Sequence, residues 1–195
     1  MRLRVLWTVS FAALALAGCK KEAPAANDAA TTAPATPVVP GMVPGVETPA
    51  PAATLDPAQT FANAAAAGDA FEIEISKLAI ANGQSAAVKR FANKMIDAHT
   101  QSTEKLKLAA GKVSPAITPD ASLSDAQKQT RDALKDLKGA DFDKAYAKAQ
   151  VDAHQTTLDA VKAYAASADA PAPLKDFAKA LVPIVTAHLN MAKAL

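Results

Sequence analysis

From Asp56 to the C-terminus, apolar residues recur at intervals of three and four, the pattern of helices that bury one face. Four long segments carry this pattern, and one short segment lies between the second and the third. None of these segments alternates apolar and polar residues as a half-buried strand does. The pattern therefore predicts an all-α fold of four long helices and one short connector helix.

Capping residues set the expected boundaries of these helices. Asp56-Pro57 is typical of a helix start and Asn82-Gly83 of a helix end. The other helices are predicted from Ser85 to about Gly111, from the capping box of Ser124 and Gln127 to Gly139, from Asp141 to about Ala168, and from about Pro173 to Leu195. About 140 alanine-rich residues suit a single core, so we expect a four-helix bundle with near-antiparallel packing.

The first 19 residues are typical of a bacterial lipoprotein signal. Arg2 and Arg4 form a positive start, and residues 5–16 form an apolar segment too short to span a bilayer. Leu16-Ala17-Gly18-Cys19 resembles the lipobox, in which the cysteine is lipidated and becomes the mature N-terminus. We therefore expect residues 1–18 to be removed as a signal peptide and Cys19 to anchor the protein in a membrane.

The residue after the cysteine bears on the expected location. Lys20 follows Cys19. A lysine instead of an aspartate at this position resembles the signal for transfer to the outer membrane of Gram-negative cells. This predicts a cell-envelope protein, an outer-membrane lipoprotein that faces the periplasm.

Residues 19–55 are rich in Ala, Pro and Thr, and eight of the 13 prolines lie between Pro24 and Pro57. Such a segment buries too little surface to offset its ordering entropy, so we predict a disordered tether ahead of a helical domain at residues 56–195. The chain has 21 basic and 19 acidic residues, and loss of Arg2 and Arg4 would leave 19 of each. A neutral mature chain gives no electrostatic reason to expect nucleic-acid binding.

The three histidines of the chain all fall on the predicted buried faces of different long helices. These faces are Val88, Phe91, Met95, His99, Ser102 and Leu106 in the second helix, Ala147, Val151, His154, Leu158, Val161 and Ala165 in the third long helix, and Leu174, Phe177, Leu181, Ile184, His188, Met191 and Leu195 in the last. At 1.5 Å per residue each histidine lies about 20–22 Å into its helix. A lone buried histidine is usually a core residue, but three at one height predict a metal site.

The first helix offers a carboxylate at the same site. Glu72 lies near the inner face, whereas Glu74 points elsewhere, and a solvated side chain is an equal alternative for Glu72. Three imidazoles and one carboxylate suit Zn, Fe, Cu or Ni. Met95 and Met191 lie beside two of the histidines, and thioethers favour Cu(I), although methionine more often fills gaps in a core. Pro183 is expected to bend the last helix one turn before His188.

The sequence resembles a bacterial family of exported proteins, domain of unknown function 4142. The resemblance is carried by Phe71-Glu72-Ile73-Glu74, Ser76-Lys77-Leu78-Ala79, Val88-Lys89-Arg90-Phe91-Ala92, Met95, His99-Thr100, Tyr146, Gln150-Val151, His154, Pro183 and His188-Leu189-Asn190-Met191-Ala192. It implies a ferritin-like bundle and supports His99, His154, His188 and Glu72 as the positions to test. One departure is that Ala98 precedes the first histidine, where family members often carry an acidic residue.

Three hypotheses for function follow from these residues. The first is an envelope protein that binds a transition metal such as Zn, Cu or Fe through the histidines. The second is a structural or interaction lipoprotein whose histidines form a buried polar network that fixes helix register. The third, catalysis, is the weakest, because no nucleophile or cofactor motif is found. A carboxylate-bridged di-iron enzyme is not expected, since Ile96, Val151 and Val185 precede the histidines by three residues where such enzymes carry glutamate.

Overall fold

The computed structural model describes residues 56–195, and within that range it contains five helices and no strand. The helices are α1 (Pro57–Asn82), α2 (Ala86–Ala110), α3 (Asp125–Lys135), α4 (Gly139–Ala166) and α5 (Ala172–Ala192). This confirms the all-α prediction, including the short connector helix α3. The predicted signal peptide, Cys19 and the tether lie outside the described residues.

Local capping explains most of the helix starts. The Asp56 carboxylate accepts a hydrogen bond from the backbone N–H of Ala58, and Ser85 caps α2 in the same way. Ser124 and Gln127 form the reciprocal capping box that the sequence predicted.

The connection between α3 and α4 differs from the expectation. α3 ends at Lys135, and three residues separate it from α4, which begins at Gly139; Asp141 lies inside the first turn of α4 and does not cap it. Gly139 has a φ of +62°, a left-handed conformation that glycine adopts without strain, so the chain turns sharply there. α5 likewise ends at Ala192, before the predicted Leu195.

The long connection from α2 to α4 runs back along the outside of α1. Gln59 donates to the carbonyl of Thr118, Asn63 accepts from the N–H of Asp120, and Arg131 pairs with Glu74 at 3.1 Å. The segment therefore runs along α1 from its first turn to its last, and α4 begins beside the end of α1. As a result α2 and α4 run in the same direction at opposite corners, which is the single-crossover topology of ferritin-like bundles.

Two apolar clusters fill the bundle, and a band of polar side chains separates them. The lower cluster contains Phe61, Leu106, Leu158 and Leu174, and the upper cluster contains Phe71, Phe91, Phe142 and Tyr146. Between them lie the buried or nearly buried side chains that we call the polar layer: Asp69, Glu72, His99, Gln150, His154 and His188. None of the helices in residues 56–195 combines the length and apolar character needed to cross a bilayer.

The last helix corrects one part of the predicted core. Ile184, placed on the buried face by the sequence, is 41% exposed, whereas its neighbour Val185 is 3% exposed. The buried positions of α5 include Leu174, Ala178, Val185, His188 and Ala192, which follow the spacing of one continuous face. Pro183 lies inside α5, which continues through it, so the helix keeps His188 on the core side.

A contact at the upper end fixes the register of α1, α2 and α4. Gly83 and Gly139 form an isolated bridge, and a Cβ at Gly83 would lie only 2.6 Å from the Ala79 carbonyl oxygen. The Asp143 carboxylate accepts hydrogen bonds from the backbone N–H groups of Gln84 at 3.1 Å and Ser85 at 2.7 Å. One side chain of α4 therefore holds the turn between α1 and α2.

This contact predicts that two aspartates of α4 contribute unequally to stability. Asp143→Ala removes the acceptor for two backbone N–H groups and is expected to lower the free energy of unfolding by about 1–2 kcal/mol. Asp141→Ala removes the same charge from the same helix end and is expected to cause a smaller loss. Urea unfolding of the two variants measures the difference, and equal losses would contradict the role assigned to Asp143.

Candidate metal centre

The polar layer brings the three histidines together from three helices. His99 of α2, His154 of α4 and His188 of α5 have ring centroids 5.5 to 5.9 Å apart. One ring nitrogen from each histidine lies within 4.8 Å of the other two. We call this group the His triad. Phe91 packs edge-on against the ring of His154 at 6.4 Å and covers the triad from the upper cluster.

The ring of His99 is oriented by a buried carboxylate on α1. Its Nδ1 lies 2.8 Å from Asp69 Oδ1, and the other oxygen of Asp69 accepts a hydrogen bond from Thr103. Burial by itself would lower the pKa of His99, but the bond to Asp69 and the nearby Glu72 outweigh it, so this pKa is raised. The Nε2 of His99 is buried and has no hydrogen-bond partner within residues 56–195.

His154 is oriented in the same way by its own helix. Its Nδ1 donates to the backbone carbonyl of Gln150 at 2.9 Å, which leaves a buried Nε2 without a partner in the described part of the chain. In His188 it is Nδ1 that is buried and unpartnered there. The triad thus presents three ring nitrogens that no described protein group satisfies.

Burial keeps two of the three imidazoles neutral. The pKa of His154 falls to about 3, first because of burial and then because of the charge of His99. The pKa of His188 falls to about 4 for the same reasons, with a further contribution from Lys94. Neutral imidazoles keep the lone pair that a metal ion needs.

Glu72 lies beside the triad, outside the group of converging atoms. Its Oε2 accepts a hydrogen bond from Gln150 at 2.5 Å, and its Oε1 lies 3.7 Å from His154 Nδ1, the nitrogen already bonded to the Gln150 carbonyl. Burial raises the pKa of this carboxyl to about 7. Glu72, for which a solvated side chain was an equal alternative, is buried at 3% exposed, and Glu74 points to the surface, where it pairs with Arg131.

The triad has the chemistry of a transition-metal site. Metal-binding histidines usually donate their outer N–H to a carboxylate or a carbonyl, as His99 and His154 do here. Three nitrogens bound at about 2.0–2.1 Å to one ion lie roughly 3.5 Å apart, so the rings would close by about 1 Å on binding.

Sequence reasoning missed two members of the layer. Asp69 and Gln150, which orient His99, His154 and Glu72, were not singled out, although Asp69 precedes Glu72 by three residues and so shares its helix face. Met191, considered as a thioether ligand, has its sulfur 3.5 Å from the ammonium group of Lys94. Met95 is fully buried in the upper cluster.

Comparison with known proteins agrees with this fold. The sequence profile of a family described as "Domain of unknown function (DUF4142)" matches residues 44–195. A search of the curated proteins found no significant match. Among solved structures, the chain is similar to "CopM in the Cu(I)-bound form", with a TM-score of 0.57 and 14% identity over 72% of this chain and 95% of that one. At this identity the similarity establishes a shared fold.

The environments of the histidines predict how they titrate in the metal-free protein. The chain has only three histidines, so each imidazole gives a resolvable NMR signal. As the pH is lowered to 5, we expect His99, whose pKa is raised, to protonate before the other two, whereas His154 and His188 stay neutral because their pKa values lie near 3 and 4.

The same shifts affect stability. Because the unfolded chain binds protons at His154 and His188 near pH 6.5 and the folded chain does not, these two residues make the fold lose stability as the pH falls from about 6.5 toward 4. If the NMR titration gave all three histidines a pKa near 6.5, this result would contradict the burial of His154 and His188 in the polar layer.

Proposed function

Because this chain belongs to the DUF4142 family, whose description leaves its activity open, we propose its function from the site: the His triad binds one transition-metal ion. The observation that carries the proposal is the convergence of three buried, unpartnered ring nitrogens. An unpaired buried polar atom costs about 1–3 kcal/mol, and a shared metal ion would satisfy all three.

Copper, as Cu(I), is the first candidate. The ligands are three imidazoles, and the desolvation penalty of an ion grows with the square of its charge, so a monovalent ion enters a buried site at a lower cost than a divalent one. The similarity in fold to a protein solved in a Cu(I)-bound form also supports this choice. Zinc is the second candidate, since it binds three histidines with an open fourth position.

A structural role is the alternative that one observation favours. The polar layer ties α1 to α2 through Asp69 and His99, and ties α1 to α4 through Glu72 and Gln150. Such a network fixes helix register without any metal. In that case histidine substitutions would lower stability, and added metal would not raise the melting temperature of the wild type.

We also propose that the domain lies in the periplasm and is anchored to the membrane by a lipid on Cys19. The support is the lipobox-like Leu16-Ala17-Gly18-Cys19 and the proline-rich segment that follows it. A lipid anchor and a tether would hold a metal-binding bundle at the inner face of the outer membrane.

The metal proposal predicts stoichiometric binding by the three histidines. We expect untagged mature protein, carrying Cys19→Ser to remove the thiol, to bind one equivalent of Cu(I). His99→Ala, His154→Ala and His188→Ala are each expected to weaken binding by more than about 100-fold, and Asp69→Asn by about 10–100-fold, because it alters only the partner of a ligand.

Asp97→Asn, an exposed change on the same helix as His99, serves as the control and is expected to leave affinity unchanged. Competition with a chromogenic Cu(I) chelator measures these affinities. Failure of the wild type to bind Cu, Zn or Fe stoichiometrically would refute the proposal.

The anchor proposal predicts that expressed wild-type protein incorporates labelled fatty acid and fractionates with the outer membrane. Cys19→Ser is expected to lose the label and to leave the membrane fraction, since Cys19 is the only cysteine. A wild type that stays unlabelled would count against the anchor while leaving the metal site untouched.

A further inference from the structure

A large cavity leads from the surface of the bundle to the polar layer. Its volume is about 740 Å³, and it lies between α1, the crossover segment at residues 120–130 and α4. Asp69, Glu72, His99 and His154 line its inner end. Its outer rim includes the exposed residues Asp120, Ser122 and Thr156, so the cavity connects solvent to two members of the triad.

Small side chains keep this cavity open. On α1 it is lined by three alanines and a glycine, and on α4 by three more alanines: Ala64, Ala65, Ala67, Gly68, Ala149, Ala153 and Ala160. A Cβ placed on Gly68 would meet no heavy atom within 4 Å. Gly68 therefore faces open space, and a larger side chain there would extend into the cavity.

The charge along the cavity suits a cation. Among the described residues, no lysine or arginine lines the cavity, whereas Asp120 and Asp152 lie toward the surface and Asp69 and Glu72 lie at the inner end. At the surface, Asp152 forms an ion pair with Lys148, whereas Asp120 has no ion pair with any group of residues 56–195. At the inner end, Glu72 Oε1 is buried and has no hydrogen-bond partner within residues 56–195.

The rim carboxylates of Asp120 and Asp152 thus precede the imidazoles along the cavity, and Asp69 and Glu72 lie beside the imidazoles at its inner end. An ion that sheds its water on leaving the surface would meet oxygen acceptors before it reaches the triad. This order matters because dehydration of a cation is costly where no ligand replaces the lost water.

We propose that this cavity is the route by which a metal cation reaches and leaves the His triad, with Glu72 as the carboxyl group beside the imidazoles at its inner end. The inference rests on the proposed function, since it assumes that the triad binds the ion. It adds that exchange takes place through the face between α1, the crossover segment and α4.

The test compares two substitutions at Gly68. Alanine and leucine have similar helix propensities, so Gly68→Ala and Gly68→Leu change the helix alike and differ mainly in the volume they place in the cavity. In the loaded mature protein, we measure the rate at which Cu(I) passes to a chromogenic chelator and the rate at which Cu(I) alone reloads the site.

Gly68→Leu is expected to slow both rates by about tenfold, the effect of adding roughly 1.4 kcal/mol to the exchange barrier, at unchanged affinity. Gly68→Ala is expected to exchange at nearly the wild-type rate. Ala180→Leu adds the same bulk at an exposed position of α5 outside the cavity and should have no effect. If Gly68→Leu fails to fold, Ala64→Leu tests the same wall from an exposed position.

The outcomes separate the two proposals. A wild type that binds Cu(I) while all variants exchange at its rate would overturn the access route and leave the metal site standing. A wild type that binds no Cu(I) stoichiometrically would overturn the metal site, and the route with it.

Discussion

The rest of the structure depends on the band of polar side chains across the middle of the bundle. Asp69, Glu72, His99, Gln150, His154 and His188 are held between two apolar clusters, where each polar atom needs a partner. Asp69 pairs with His99, and Gln150 serves both Glu72 and His154. These bonds hold the outer nitrogens of His99 and His154, so the unsatisfied nitrogens are left to face one another.

The topology determines which helices supply this layer. The crossover runs along the length of α1, and for this reason the helices α2 and α4 run in the same direction. Their histidines lie at similar depths below the upper end of the bundle. α5 runs upward beside both and brings His188 to the same height near its own upper end. Residues 120–130 of the crossover line the cavity that reaches the polar layer, together with α1 and α4. The same connection thus brings the three histidines to one height and forms one wall of the cavity that His99 and His154 line.

Much of the fold could be predicted from the sequence, because caps and helical periodicity are local signals. The start of α1 at Asp56-Pro57, the capping box at Ser124 and the inward position of His99, His154 and His188 all followed from spacing alone. Spacing did not show which of Ile184 and Val185 is buried, since both are apolar neighbours in a helix that contains Pro183. Asp69 and Gln150 were missed because their roles depend on residues 30 and 78 positions away, through contacts with His99 and Glu72. The cavity depends on how far apart two helices lie, which no local pattern encodes.

X-ray absorption at the copper edge of Cu(I)-loaded, untagged mature protein carrying Cys19→Ser tests the central claim most directly. Three imidazoles bound to one ion predict a first shell of nitrogen near 2.0 Å, together with the outer-shell scattering that imidazole rings produce. A first shell dominated by sulfur near 2.3 Å, or one of light atoms without imidazole scattering, would contradict the assignment of the His triad as the metal site.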